Sequence, residues 1–112
     1  MSEEPAELRR FALPADERGR PREALVIRSV YAEPVAYLNL CPHLDVPLDA
    51  GSPDFAPRRG HLICRTHGAR FRTLDGQCVW GPCQGESLQR LELERTEGGR
   101  WLLFEGARLR ID

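Results

Sequence analysis

The ten glycines and nine prolines of this chain are scattered along its whole length and not gathered into one linker. Proline removes a backbone donor and fixes φ, and glycine weakens a helix interior, so this spacing leaves little room for a long helix. What fits between the turn residues is a set of short strand-like runs. They fall at residues 23–30 (EALVIRSV), 34–40 (PVAYLNL), 61–64 (HLIC), 69–73 (ARFRT), 87–95 (SLQRLELER), 100–106 (RWLLFEG) and 107–111 (ARLRI). The run 87–95 alternates Leu88, Leu91 and Leu93 with polar residues and slips once. TEGGR at 96–100 reads as a hairpin turn, because glycine reaches positive φ at little cost. The expectation is a small all-β domain, an antiparallel sandwich or barrel. Residues 44–60 are rich in Pro, Gly and Asp and are expected to form a long loop without strands.

A length of 112 residues suits one compact domain, here 1–112, with residues 1–23 as a loose arm or an edge strand. The 16 basic residues, all arginine, nearly balance 17 acidic ones, for a formal net charge of −1. A nucleic-acid or membrane-surface binder usually carries a basic excess, so neither partner is expected. The N-terminus has no apolar run of a secretory signal, and no stretch reaches the eighteen or so apolar residues of a membrane span. A cytoplasmic location is expected. In that compartment a pair of cysteines reads as a metal ligand set or redox group before a structural disulfide.

Two loop segments each carry one cysteine and one histidine, Cys41-x-His43 and Cys64-x-x-His67. A zinc finger takes two Cys from one knuckle and two His from a helix, with three to five residues between the histidines. Neither condition holds here. A two-iron cluster explains mixed knuckles better: Cys41 and Cys64 on an inner iron, His43 and His67 on an outer one, one residue of each kind from each loop. A zinc-held structural domain remains the metal alternative.

The residues CPHLDVPL, GHLICRTHGARF and DGQCVWGPC together resemble the Rieske [2Fe–2S] domain. The resemblance rests on Cys41, His43, Cys64, His67 and Gly68, and on Gly81 and Pro82 as a third loop that would cover the cluster. It spans roughly residues 24–111, with the cluster-binding part at about 39–86. It implies a barrel-like β fold with a loop-built subdomain, one [2Fe–2S] cluster per chain, and Cys41, His43, Cys64 and His67 as its ligands. Imidazole ligation leaves the oxidised cluster neutral, which raises the potential to about −150 to +300 mV, against about −400 mV for all-thiolate plant-type clusters. The high-potential members carry hydroxyl residues where this chain has Ala69 and Phe71, and a loop disulfide that this chain lacks near its knuckles. A potential near the bottom of the window is therefore expected, falling at high pH as an imidazole loses its proton.

The function implied is one-electron transfer without catalysis by the chain itself. The sequence runs only some 45 residues past His67, too few for an oxygenase catalytic domain, and it has no Gly-rich dinucleotide fingerprint. The expected partners are a flavin-dependent reductase and a terminal oxygenase or other acceptor, met by a monomer. The alternatives are a small bound subunit of a larger oxidoreductase, of the nitrite-reductase small-subunit type, and a redox-sensing module. Of the remaining candidates, His61 reads as a half-exposed strand residue. Cys78 and Cys83 read as buried thiols in preference to a disulfide. Leu44, Trp80 and Pro82 would rim the cluster, with Trp80 as readily a core residue. Arg58 and Arg59 read as solvated surface or as a steering pair for an acidic partner.

Overall fold

The computed structural model describes residues 6–29, 32–42, 46–52, 55–66, 68–104 and 108–111. Among them are nine strands and no helix: β1 (Ala6–Leu13), β2 (Arg22–Ser29), β3 (Ala32–Leu38), β4 (His61–Ile63), β5 (Arg70–Arg72), β6 (Cys78–Trp80), β7 (Arg90–Arg95), β8 (Trp101–Phe104) and β9 (Arg108–Arg110). Six strands form one antiparallel sheet in the order β1-β2-β3-β7-β8-β9, curled into a half-barrel; β4-β5-β6 form a second, smaller sheet. The all-β expectation holds. No helix among these residues is long and apolar enough to cross a membrane.

The apolar run in β2 has a structural cause. Ala24 and Val26 face the inside of the half-barrel with Ala36, Leu38, Leu91 and Leu103. Leu25 and Ile27 face the other way, into a second core shared with Leu62, Phe71 and the four cysteines. A strand covered on both faces has no polar side to show, so it reads as continuous hydrophobic sequence. The slip in 87–95 has the same origin. Leu88 packs in the second core, whereas Leu91 and Leu93 belong to the barrel interior, and β7 begins only at Arg90 between them.

β3 and β7 pair over only two positions, Ala36 with Leu91 and Tyr37 with Arg90. The amide of Leu38 donates to Gln89 O at 2.9 Å, so β3 turns its even-numbered amides toward β7. The second even position further back is Pro34, which has no N–H to give. The ladder ends there, and the two strands part around an open cleft lined by Glu33, Val35, Glu92, Leu93 and Trp101.

In the small sheet β5 alternates cleanly, Phe71 buried between exposed Arg70 and Arg72; Leu62 of β4 and Cys78 of β6 are buried with Phe71, while Trp80 at the other end of β6 lies exposed. Sequence reading placed strands at 61–64 and 69–73 close to β4 and β5, and the strand expected at 34–40 runs at 32–38 instead. It missed β6, whose three residues between Gly76 and Gly81 are too few to show a period. Residues 6–13 form a full edge strand paired with β2 over eight positions.

Candidate metal centre

The first knuckle leaves β3 at Asn39. The Cys41 amide donates to Val46 O at 2.7 Å, closing a tight turn with the cysteine wholly buried. Asn39 holds the far side of this turn: its carboxamide oxygen accepts from Leu48 N at 2.8 Å, and its backbone amide donates to Glu23 O. Leu48 and Phe55 then anchor the long loop in the same core as Cys41.

The second knuckle connects β4 to β5. The Cys64 amide donates to Ala69 O at 2.8 Å, and Gly68 N donates back to Cys64 O at 2.8 Å. Gly68 sits at φ 72°, a left-handed conformation that glycine adopts without strain. A backbone bond, Arg65 N to Leu48 O at 2.9 Å, ties the second knuckle to the loop that follows the first. A third loop closes over the second knuckle at Gly81, where an added Cβ would come within 2.9 Å of the Ala69 Cα.

All four cysteines are buried free thiols in one core. Burial pushes the Cys83 thiol up to about 12, helped by a hydrogen bond with the Cys78 thiol and by the nearby Cys78 and Cys41 sulfurs. Cys83 therefore stays a neutral thiol, which packs as a small apolar group. No three His, Cys, Asp or Glu side chains among the described residues are placed to hold a metal ion, so cysteines alone do not build a site. The hydroxyl of buried Tyr37 donates to Thr73 O at 2.7 Å and is engaged there. Phe71 and Ala69, wholly buried beside the knuckles, bring no hydroxyl.

The long loop is held by an ion pair between residues far apart in the chain. Arg10 of β1 donates through Nε to the buried Asp49 carboxylate at 2.8 Å and through a terminal nitrogen to Ser52 O at 2.7 Å. Burial pushes the Asp49 pKa up, but the Gly51 amide, Arg10 and Asn39 outweigh it and hold the carboxyl below its ordinary value of 3.8. A depressed carboxyl stabilises the fold above its unfolded pKa, and that contribution is lost as pH falls through the folded value. Denaturation between pH 7 and pH 3 should show wild type losing stability below about pH 4, with the Asp49→Asn profile flatter there. Arg10→Met, which leaves the carboxylate buried without its cation, should cost about 1–3 kcal/mol at pH 7.

Of the residues expected at the site, Cys41 and Cys64 are both buried in the second core, on turns joined by the Arg65–Leu48 backbone bond. His43 and His67 lie outside the described residues, as does Leu44. Trp80 is 58% exposed, not a core residue, and its ring lies 3.9 Å from where a Gly68 Cβ would stand. His61 is half-buried in β4.

A half-barrel carrying a small sheet, with two cysteine turns bonded to each other beneath a glycine-proline loop, defines a metallocluster domain built on loops. The family model for the Rieske [2Fe-2S] domain matches residues 9–96, and the chain belongs to that family. No curated protein and no solved structure matches it. A Rieske domain binds a [2Fe–2S] cluster and serves as an electron-transfer module. The described residues fit that group: two buried thiols on separate but tied turns, and a covering loop that can close only because Gly81 lacks a side chain.

Proposed function

We propose that Cys41 and Cys64 hold the inner iron of the cluster and His43 and His67 the outer, and that the chain is a one-electron carrier. In this reading it takes electrons from a flavin-dependent reductase and passes them to a terminal oxygenase or other oxidoreductase, as a cytoplasmic monomer that catalyses no substrate reaction itself. The observation that carries it is the bond between Arg65 N and Leu48 O, which brings two Cys-bearing turns to one end of the core. When bound, the cluster supplies a site that gains and loses one electron at nearly fixed geometry. The chain's own residues hold it, and Leu48, Phe55 and Phe71 wall its cysteine side from water.

The test is chemical and spectroscopic. Purified protein should contain iron and acid-labile sulfide in equal amounts, and pulsed EPR of the reduced form should show coupling to two imidazole nitrogens. His43→Ala and His67→Ala should each remove one coupling or the whole signal. Two couplings surviving in either variant would refute that ligand's assignment, and zinc without sulfide would refute the cluster.

Phe71 gives a second check, on the low potential expected for this chain. Hydrogen bonds to cluster sulfurs stabilise the reduced, more negative form. Phe71→Tyr places a hydroxyl in the core that holds Cys41 and Cys64. A bond stronger by about 1–2 kcal/mol in the reduced form should raise the midpoint by about 40–90 mV. Protein-film voltammetry reads this directly.

A further inference from the structure

Five of the chain's 16 arginines lie at positions 58, 59, 65, 70 and 72, and no Asp or Glu occurs between residues 55 and 74. All 17 carboxylates lie elsewhere, so a nearly neutral protein carries a strongly basic segment. The fold gathers that segment on the β4–β5 hairpin. Arg65 is in the second knuckle, Arg70 and Arg72 are on β5, and Arg58 and Arg59 are at the turn before β4; all five are exposed. Together they form a basic stripe, in which Arg72 is bonded to Asp75 at 2.7 Å.

Two backbone features shape this surface. The turn joins Arg58 and His61 by reciprocal bonds of 2.8 and 2.9 Å, with Arg59 at φ 51° and Gly60 at φ 79°. Both central residues are left-handed, as in a type I′ turn, where Asn and Gly are the favoured residues and arginine costs energy. The second feature is a bulge in β6. Phe71 pairs with Cys78 but Arg70 pairs with Trp80, so β6 spends one extra residue at Val79. Without that bulge Trp80 would share the inward face of Cys78. With it the indole is turned out beside Arg70, against Gly68 of the second knuckle.

From the exposed tryptophan and the stripe beside it, we propose that the outer face of β4–β5–β6 is the docking surface for an acidic protein redox partner, with Trp80 as its apolar anchor. The proposal rests on the carrier reading above and adds the face and the charge of the partner. Charge complementarity selects the occupant: the stripe attracts a carboxylate-rich surface and repels a basic one. Tryptophan and arginine are the residues that dominate binding at small interfaces, and transient redox encounters use small interfaces. Charges of this kind set the encounter rate more than the final affinity.

The test is stopped-flow reduction of the loaded protein by the hydroquinone of a flavodoxin, an acidic flavoprotein, as a function of salt. Small neutral or cationic dyes such as reduced methyl viologen serve as the partner-independent reference. The wild-type rate constant should fall about tenfold between 20 mM and 0.5 M NaCl as charges are screened. Arg58→Glu/Arg70→Glu should lower the low-salt rate at least about tenfold and flatten the salt dependence, whereas Arg18→Glu/Arg100→Glu, the same charge change off this face, should do neither. Trp80→Ala should lower the rate at every salt concentration, with its midpoint potential and visible spectrum unchanged. Equal slowing by the two double variants, or no effect of salt, would overturn the proposal while the dye arm still reports a working carrier. Salt-weakened binding of a short DNA duplex that depends on Arg58 and Arg70 would also overturn it, by giving the stripe to nucleic acid. A protein that the dye cannot reduce sinks the carrier reading and this one together.

Discussion

Cys64→Ser protein should purify colourless, with iron falling from two per chain to below about a tenth of that. The reason lies in where the sulfur sits. Cys64, the proposed ligand, is buried in the core, where neither water nor an exposed side chain could take its place. A serine hydroxyl in the same place is a far poorer ligand for ferric iron bridged by sulfide, because it must lose a proton of much higher pKa. The barrel should survive the change. Its interior is a separate cluster built from β1, β2, β3, β7 and β8 with Ile111, and the knuckle turns add to it no fully buried residue, Leu40 packing against it while partly buried. Iron and sulfide analysis beside far-UV circular dichroism checks both halves. Full iron content in the Ser variant would remove Cys64 from the ligand set, and a collapse of the β signal would show that the two cores do not fold separately.

Gly81→Ala is the second large effect. Glycine there has φ 108°, a conformation closed to ordinary side chains, and a methyl group would meet the Ala69 Cα at 2.9 Å and its Cβ at 3.2 Å. Backbone strain of this kind costs about 1–3 kcal/mol, and the clash is with backbone that cannot swing aside. The total should be about 3–4 kcal/mol, or some 10–15 °C in Tm for a domain of this size. Gly85→Ala is the control. It has φ 94° but open space around it, so it should lose only the strain. Differential scanning calorimetry separates the two. If both variants melt together, the close approach of the third loop to Ala69 contributes nothing.

Much of this was readable before any coordinates, and the reasons differ by feature. β2 announced itself because both faces are buried, whereas the type I′ turn at Arg58–His61 was hidden inside the long loop, because Arg59 is not a residue that marks a left-handed position. The two knuckles were legible because each packs its sulfur and its imidazole into four residues or fewer. What escaped was whatever depends on distant partners. Arg10 and Asp49 are 39 positions apart in sequence and meet only because β1 lies beside the long loop. Trp80 could be placed neither in nor out, because its orientation is decided by one extra residue at Val79 that composition does not mark. β6 was missed for the same reason, since a bulge in a three-residue strand erases the alternation that would reveal it.

The seam between the two cysteine turns is an amide-to-carbonyl contact backed by greasy packing, and none of the four thiols is spent as a covalent rivet across it. Such a seam contains no covalent bond that has to be made or broken for it to open. Loading the irons into a newly made chain therefore requires no oxidant to fasten the turns afterwards, and replacing a damaged cluster requires no reductant to release them first. On the proposed ligand assignment, the end of the molecule that would carry the electron is held by hydrogen bonds and packing alone, with no covalent tie to undo.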